Sequence, residues 1–574
     1  GWYVEMAVPL SQLRFAVSAE EAVWGLNICR VLLRNNEEDY WVPFPREWTS
    51  AGFARVSNAG VLTGLGTLQA KRRLEFVPYL LPSASRDYVA GTPVETTAHL
   101  GGDLKVGLTD NLMADLTYRT DFAQVEADQE VVNLTRFSLF FPEKRQFFTE
   151  SAGIFDYGKA LSGLAGDAAT NDPGMLALFY SRRIGLVDGQ EVPILGGGRV
   201  TGRVGGYTVG ALNITTDTAE VHQGSGMATV DRANFTVVRV KRNILKNSSI
   251  GALFLDAENG VSAWNRAVGF DAGLTIGPAV TLTGLFAKTF TPGTSGGDTA
   301  SVVDFAWKND RYSYGVNFTD IGERFNAEMG YIPRLDIRSG RAKVGWSPRP
   351  KWKGVRQLLF NASGDYYETH AGRVDSRTQI FDATLQQQNT ASAKIVFTRN
   401  FDDLASPFTT AGTSIAVGGY SWQTTNVSYS SNRTKRVFGT LSADAGGYYN
   451  GTRQAATASL SIQVGRTLLF EPNVTRNWVS LPGRPEYTSN VLNFRVSHSF
   501  SPDFYVKAFA QYNDDRKTAS FNALMWYHFR PGSDIYVVYN QGWDVALPLT
   551  SAQLESNRVH SRSLVLKTTW WLSR

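Results

Sequence analysis

The feature that most constrains this chain is an alternation of apolar and polar residues with a period of two, which recurs from about residue 72 to the C-terminus. In Leu112–Tyr118, for example, the even-numbered positions are apolar or aromatic, and Asp115 and Thr117 lie between them. A period of two places alternate residues on opposite faces of a β-strand. Helical periodicity is almost absent, and the sequence therefore predicts an all-β protein.

The number and length of these segments favour a closed barrel. Many run about 10–14 residues, longer than the usual strand of about five or six, and roughly two dozen fit between residues 72 and 574. An open sheet of that size leaves unpaired edges, whereas a barrel pairs every strand. Many apolar faces end in Tyr, Trp or Phe, which is typical of aromatic girdles in outer membranes. We predict an antiparallel transmembrane β-barrel of about 22–26 strands over residues 72–574, in contact with the lipid and lipopolysaccharide of a Gram-negative bacterium.

Composition argues against several other classes of protein. The 574 residues contain no run of eighteen apolar residues, so no transmembrane helix is predicted. The net charge is only +5, with both signs mixed along the chain, which argues against a nucleic-acid-binding protein. The single cysteine, Cys29, excludes a disulfide framework, and the lack of a blade-length repeat disfavours a soluble propeller.

The N-terminal part of the chain shows a different pattern. Two strands are predicted, over residues 2–8 and from Trp24 to about Leu33. Two or three strands are too few for an independent core. We interpret residues 1–50 as the C-terminal part of a β-sandwich and residues 51–71 as a linker. Because the sequence does not begin with methionine, we expect it to start after processing or within a longer protein.

Two stretches resemble a known family. WYVEMAVPLSQLRF (residues 2–15) and WGLNICR (residues 24–30) resemble the closing strands of family-9-like carbohydrate-binding modules. DFAQVEADQEVVNLTRFSLFFPEKRQFFTESAGIF (residues 121–155) is similar to the signature of a bacterial outer-membrane barrel family of unknown function, domain-of-unknown-function family 5916. Members of that family carry such a module before the barrel. The resemblance implies carbohydrate as a candidate partner and a module that is truncated here.

Three tryptophans in the N-terminal part are candidates for stacking on a sugar. They are Trp2, Trp24 and Trp41. The alternative is that these side chains form the core of the sandwich, since buried aromatic side chains contribute large apolar areas to packing.

The end of the chain fits the barrel prediction. Leu564, Leu566, Trp570 and Leu572 lie on one face of the last predicted strand. This pattern resembles the C-terminal signal of outer-membrane barrels, although the chain ends in Ser-Arg instead of an aromatic residue.

The stretch TDFAQVEADQEVVNLTRFSLFFPEKRQFFTE (residues 120–150) combines six phenylalanines with nine charged side chains. We predict a strand in which Phe137, Leu139 and Phe141 face lipid while the charged residues face the lumen. There the charges either brace the wall by pairing with one another or set ion or ligand preference. The predicted lumenal charge cluster consists of Arg119, Asp121, Glu126, Asp128, Arg136, Glu143, Lys144 and Arg145.

A long loop is predicted at about residues 142–175, after that strand. Loops of this length without secondary structure are uncommon unless they are functional or disordered. We expect residues 158–172 to fold into or over the lumen as a constriction, with simple capping of the barrel as the alternative.

No sequence pattern points to catalysis, a metal or a cofactor. The six histidines are scattered without metal-ligand spacing, and no G-x-S-x-G motif occurs. Glycines at residues 196–198 lie in a strand-rich stretch, which favours close packing over a phosphate loop. Asp402 and Asp403 are interpreted as turn residues, and Asp115 and Asp320 have no identifiable partner. We therefore predict that the protein is not an enzyme.

Three functions remain open on the sequence. The first is a channel or porin-like transporter associated with glycan or oligosaccharide handling. The second is a non-conducting anchor or docking barrel for a surface protein or polysaccharide assembly, with other cell-envelope proteins as partners. The third is a membrane-embedded glycan hydrolase.

Overall fold

The computed structural model describes residues 3–573 apart from a set of gaps. The positions outside the description are 9, 11–12, 14, 16–20, 33–34, 36, 47, 49–51, 67, 69–73, 90, 121–127, 158–174, 188, 224–225, 246, 260–262, 411, 484 and 546–557.

Short strands outside the barrel pair two by two. They are β1 (Trp24–Leu26), β2 (Cys29–Leu32), β3 (Glu37–Tyr40), β4 (Gly60–Leu62), β8 (Leu186–Val187), β9 (Gln190–Glu191), β12 (Ala219–Gln223), β13 (Gly226–Val230), β24 (Phe408–Thr410) and β25 (Thr413–Ile415). Two helices of four residues each are α1 (Gln146–Thr149) and α2 (Ala152–Phe155).

The described residues contain a closed barrel of 24 antiparallel strands, which confirms the predicted fold class and strand number. Strands that are consecutive in the barrel wall pair with each other, and the last closes on the first, where Ser563 pairs with Ser85. The barrel strands are β5 (Leu74–Asp87), β6 (Glu95–Thr109), β7 (Leu112–Tyr118), β10 (Ile194–Val204), β11 (Tyr207–Thr216), β14 (Ala233–Ile244), β15 (Ser248–Asn259), β16 (Ala263–Ile276), β17 (Val280–Phe290), β18 (Thr299–Lys308), β19 (Tyr312–Ile321), β20 (Ile337–Trp346), β21 (Val355–Glu368), β22 (Val374–Gln387), β23 (Ser392–Leu404), β26 (Gly418–Ser430), β27 (Val437–Tyr448), β28 (Gly451–Val464), β29 (Leu468–Ser480), β30 (Tyr487–Ser501), β31 (Phe504–Asn513), β32 (Thr518–Arg530), β33 (Ser533–Asp544) and β34 (Arg558–Thr569), continued by β35 (Leu572–Ser573).

The outer face of the barrel is apolar, as the alternation predicts. Phe270 and Val316 are 57% and 56% exposed in the middle of their strands, whereas neighbouring inward residues are buried or polar. A contiguous apolar belt of this kind is stable only against lipid. The predicted C-terminal face is confirmed, because its four apolar residues are all exposed on one side of β34 and β35. No helix in the described part of the chain is long and apolar enough to cross a membrane.

The two ends of the barrel differ in the length of their connections. At one end the hairpin turns are short, such as residues 205–206 and 277–279, and the N-terminal part of the chain docks there. The Trp48 indole N–H donates to the carbonyl oxygen of Pro278 (2.9 Å), and the Ser57 hydroxyl donates to the side-chain oxygen of Asn247 (2.9 Å). The long connections, including the one between β7 and β10, are at the opposite end.

The N-terminal strands differ from the prediction. Residues 3–8 are exposed and not in a strand, and the predicted strand from Trp24 is divided into β1 and β2. The predicted linker at residues 51–71 contains β4, which pairs with β1. The alternation of these segments is too short to distinguish a sandwich strand from a two-stranded hairpin. The resemblance to a carbohydrate-binding module stays a prediction.

An apolar core fills one side of the barrel interior. Leu178, Ile184 and Phe325, which belong to connections rather than to the wall, are 0% exposed. They pack against inward-facing side chains such as Ile214 and Val237, from the β10–β20 side of the wall. The lumen is therefore partly a packed interior and not a uniform aqueous pore.

Candidate functional site in the barrel lumen

A segment after β7 runs inside the barrel instead of extending the wall. We call residues 128–157 and 175–187 the lumenal segment. The Glu130 N–H donates to the side-chain oxygen of Gln511 on β31 (2.7 Å). About halfway round the wall, the Tyr157 hydroxyl donates to the carbonyl oxygen of Phe286 on β17 (2.8 Å). The lumenal segment therefore crosses the lumen.

The predicted lipid-facing strand in this segment is wrong. Residues 128–145 form no strand, and their phenylalanines contact other side chains within the lumen. The Phe137 ring centroid lies 4.0 Å from the guanidinium carbon of Arg334, and the Phe140 ring centroid lies 4.9 Å from the ring centroid of Tyr180. Cation–π and aromatic contacts give these rings favourable surroundings away from lipid. The alternation of residues in this stretch comes from an extended backbone that packs against side chains on both sides. Such a backbone has the same period of two as a β-strand.

The first anchor of the lumenal segment is a group of four charged residues, which we call the Arg136 cluster: Arg136, Arg334, Asp375 and Asp402. Arg136 donates two hydrogen bonds to Asp375, at 2.7 and 3.1 Å, and lies 3.5 Å from Asp402. Arg334 donates to the same Asp375 carboxylate at 3.0 Å. Burial opposes the charge of Arg136, but the hydrogen bonds and charge of Asp375, together with Asp402, outweigh it and raise its pKa. The two positive and two negative charges of the Arg136 cluster thus neutralise one another inside the barrel.

A second anchor joins the two parts of the lumenal segment. Arg145 is 4% exposed, pairs with Glu143 at 2.7 Å and donates to the carbonyl oxygen of Ile184 at 2.6 Å. The Ser181 hydroxyl donates to the same Glu143 carboxylate at 2.7 Å. Burial raises the pKa of Glu143, but the hydrogen bonds and charge of Arg145 outweigh that effect, so the pKa is lowered overall. Glu143 is therefore a charged structural link at neutral pH.

Two buried arginines of the wall hold the region of α1 and α2. Arg199 donates to Asp115 at 2.7 Å and to Glu150 of the lumenal segment at 2.8 Å. Arg239, 1% exposed, donates to both carboxylate oxygens of Asp271 at 2.5 and 2.8 Å, and its guanidinium carbon lies 5.6 Å from the Tyr157 ring. Asp115 thus has a partner, which local sequence does not reveal because Arg199 lies on another strand.

Members of the predicted charge cluster pair partly with one another and partly with other residues. Asp128 lies 3.1 Å from Lys144 and accepts a hydrogen bond from Arg182, while Arg136 pairs with Asp375 of the wall. The partners differ because the extended segment points the side chains of Asp128 and Arg136 to different parts of the lumen. Glu143, Lys144 and Arg145 do lie in the lumen, where they hold the segment.

Arg119 is the one further member of the predicted cluster that the structure describes. Arg119 is exposed at the end of β7, with its guanidinium carbon 5.7 Å from the Tyr118 ring. Asp121 and Glu126 lie outside the described residues, as does the predicted constriction at residues 158–172.

Sequence reasoning missed the wall residues that hold the segment. The interpretation of Asp402 and Asp403 as turn residues is wrong, because both lie on β23. Asp402 belongs to the Arg136 cluster, and Asp403 pairs with Arg373 at 2.6 Å. Arg136 and Asp375 are 239 residues apart in the chain, and no local pattern reports such a contact.

The part of the lumen opposite the apolar core carries a row of uncharged polar side chains. One position on each of six adjacent strands, β26 to β31, carries a hydroxyl or amide group. Each of these positions is the direct register partner of the next. We call them the polar row: Ser430, Thr440, Ser459, Asn473, Asn493 and Gln511.

The candidate sugar-stacking tryptophans are not gathered at one place. Trp24 is half-buried on β1, with its ring 5.3 Å from that of Phe15. Trp41 is 57% exposed and presents an open aromatic face. Trp2 lies outside the described residues.

Among the described residues, no group of three or more His, Cys, Asp or Glu side chains could hold a metal ion. His370 lies between two carboxylates, with Nδ1 2.8 Å from Asp336 and Nε2 3.1 Å from Asp320. The prediction that Asp320 lacks a partner is therefore wrong. The glycines at residues 196–198 lie in β10, where a Cβ on Gly197 would overlap the carbonyl oxygen of Asn213. This confirms the close-packing interpretation.

Comparison with known proteins identifies a family match over part of the chain. Residues 70–253 match the family described as domain of unknown function (DUF5916), which confirms the resemblance of residues 121–155 to that barrel family. No curated protein matches the chain.

Several solved structures are similar to the chain at low identity. Acinetobacter baumannii OccAB3 is 7% identical, with 88% of this chain and 100% of that chain covered and a TM-score of 0.31. The Pseudomonas aeruginosa ferric enterobactin receptor PfeA is 10% identical, with 90% of this chain and 83% of the receptor chain covered and a TM-score of 0.40. The pyoverdine-bound receptor FpvA of the same organism is 10% identical, with 91% and 75% covered and a TM-score of 0.39. Likeness at this level carries no argument about function.

Proposed function

We propose that this protein is an outer-membrane solute channel whose pathway is closed, in the state described, by the lumenal segment. The observation that carries the proposal is the asymmetry of the lumen. An apolar core occupies one side and the polar row lines the other. A wall needed only for anchoring has no requirement for a polar lumenal face beside a segment that crosses it.

The way in which the segment is held supports a gate. Residues 128–145 of the segment are held mainly by ion pairs and hydrogen bonds, such as Arg136 with Asp375 and Glu143 with Arg145, whereas later residues such as Phe148 and Ile184 pack into the apolar core. Polar contacts can be exchanged for water or for a ligand at a modest net cost, unlike a continuous hydrophobic interface. Residues 128–145 can therefore change position while the apolar core and the barrel stay folded.

Short turns face the periplasm in outer-membrane barrels. Since the N-terminal part docks on the short turns, we place it on the periplasmic side, and the entrance of the lumenal segment on the outer side. The carbohydrate association implied by the resemblance belongs to this proposal, with lipid, lipopolysaccharide and other envelope proteins as further candidate partners. We expect the function to be transport and not catalysis.

Single-channel recording in planar bilayers tests the proposal. The wild-type protein is compared with a variant in which a glycine-serine sequence of equal length replaces residues 128–145. We expect rare or small openings from the wild type and stable, larger openings from the variant. Heat-modifiable mobility on a gel confirms in both cases that the barrel is folded. A folded variant that stays silent would refute the channel.

A non-conducting anchor is the second candidate, and the apolar core favours it. Leu178, Ile184 and Phe325 are fully buried between connections and wall, so that side of the lumen is as well packed as a soluble core. An anchor predicts silence from the variant and retention of a bound envelope protein or polysaccharide during purification.

A further inference from the structure

The lumen contains a cavity of about 390 Å³ next to the polar row. It is bounded by β26–β31 on one side and by Gln129 of the lumenal segment on the other. Five of the six polar-row residues line it: Ser430, Thr440, Ser459, Asn473 and Asn493. The cavity therefore lies where the proposed pathway passes the gate.

The hydrogen-bonding chemistry of the polar row is uniform. Hydroxyl and amide groups both donate and accept, and none of the six residues carries a charge. Neighbouring side chains bond across the strands, as Ser430 does with Thr440 (2.8 Å) and Asn473 with Ser459 (2.5 Å). A second row beside the first repeats the pattern, with Thr457 bonded to Thr475 at 3.2 Å. The polar row therefore offers a set of paired hydrogen-bond donors and acceptors that carry no charge themselves.

One group at the cavity has an unused acceptor. Asn493 is 4% exposed, and its amide nitrogen donates to the carbonyl oxygen of Glu130 at 3.4 Å. Its side-chain oxygen has no hydrogen-bond partner among the described residues. A buried acceptor without a donor is costly, which makes a hydroxyl from a bound molecule a favourable partner.

Three charged residues also line the cavity: Arg433, Glu471 and Arg495. The Arg495 guanidinium lies 3.7 Å from the Glu471 carboxylate and 4.8 Å from the Phe509 ring. These two charges offset one another, and Arg433 is exposed at the edge. A neutral molecule with many hydroxyls can donate to the carboxylate and accept from the guanidinium groups.

We infer that this cavity and the polar row bind neutral polyhydroxylated solutes, of which short oligosaccharides are the chemical class. The inference rests on the proposed function, because it names the solute of the same lumen. Saccharide hydroxyls donate and accept as the wall does, so each can replace a wall–water hydrogen bond by a wall–sugar one. The lumenal location makes this surface distinct from the tryptophans of the N-terminal part.

Isothermal titration of the full-length protein with maltotetraose tests the inference without requiring conduction. We expect saturable binding, weakened about tenfold by Asn473→Leu, as expected from loss of one or two hydrogen bonds. Thr467→Leu is the matched control, since Thr467 is exposed in the turn of the same β28–β29 hairpin. That variant is expected to bind as the wild type does. Potassium gluconate is the ionic competitor, and we expect it not to displace the sugar.

The outcomes separate the two proposals. Absence of binding, or binding that Asn473→Leu leaves unchanged, would overturn the saccharide inference even if the barrel conducts. Binding that depends on Asn473 in a barrel that never conducts would support the saccharide site and overturn the channel. Displacement of maltotetraose by gluconate would overturn the inferred preference for neutral solutes.

Discussion

Removal of the Arg136 side chain is the perturbation that most sharply challenges the idea of a held segment. Arg136→Ala deletes two hydrogen bonds to Asp375, at 2.7 and 3.1 Å, and the ion-pair contact with Asp402 at 3.5 Å. Hydrogen bonds to charged groups contribute roughly 1.5–3 kcal/mol each. Asp375 keeps Arg334 as a partner at 3.0 Å, and Asp402 keeps the hydrogen bond from the Tyr449 hydroxyl at 3.2 Å, so neither carboxylate is left without a donor. The lower end of the range therefore applies, about 3 kcal/mol for the pair of bonds.

Destabilising the docked segment by about 3 kcal/mol raises the ratio of detached to docked segment by about 150-fold. The assay is open probability in single-channel recordings of refolded protein, with barrel folding checked by heat-modifiable mobility. Arg136→Lys is expected to be intermediate, because an ammonium cannot make the planar two-bond contact. Arg377→Ala is the matched control on the wall, since Arg377 is exposed on β22 and lies over Phe401. An Arg136→Ala protein with the open probability of the wild type would refute the reasoning.

Two further outcomes follow from the buried charges. Arg145 lowers the pKa of Glu143 in the docked segment. The stabilisation of the docked segment by ionised Glu143 is therefore complete above the ordinary glutamate pKa of 4.5 and is lost as the pH falls through the lower pKa of the docked state. Conductance should be constant from neutral pH down to that range and rise below it, whereas a rise at alkaline pH would contradict the assignment. Arg239→Ala leaves the half-buried Asp271 without its cation and should cost roughly 3 kcal/mol, the lower end of the range for breaking a buried pair. This is seen as a lower midpoint temperature for loss of heat-modifiable mobility. Melting at the same temperature as Arg242→Ala, an exposed control on the same strand, would show that the pair is not structural.

The barrel wall could be predicted from the sequence because, within each strand, apolar residues of the outer face alternate with polar or small residues of the inner face. Leu116 and Tyr118 are exposed to the outside, whereas Asp115 and Thr117 between them are buried. Alternation, strand length and turn spacing are local properties, and closure follows from the need to leave no edge. The strand number and the lipid-facing side of the last strand follow from the same alternation.

The lumenal segment could not be predicted in this way. An extended segment packed on both sides has the period of a strand, so Phe137 and Phe141 were assigned to lipid. What distinguishes the two cases is the partner, and the partners of Phe137 and Arg136 are Arg334 and Asp375, which lie far along the chain. The polar row has the same limitation, because its six members are neighbours only through the register of six strands.

The charged residues of the segment illustrate which part of a site sequence reasoning can reach. Residue type and approximate location were predicted for Arg136, Glu143 and Arg145, since charges next to phenylalanines need lumenal surroundings. Their pairing was not predicted, because it depends on which wall strand each side chain meets inside the barrel.

The central claim is that the lumenal segment lies inside the barrel, and photo-crosslinking from Phe137 in the membrane tests it most directly. A benzophenone-bearing side chain replaces Phe137, and the irradiated protein is digested and analysed by mass spectrometry. Phe137 lies 4.0 Å from the Arg334 guanidinium carbon, which in turn lies 4.1 Å from the Tyr367 ring. We therefore predict crosslinks to the peptides that contain Arg334 and Tyr367. Crosslinks to lipid alone would place this residue on the outer face of the barrel and contradict the account.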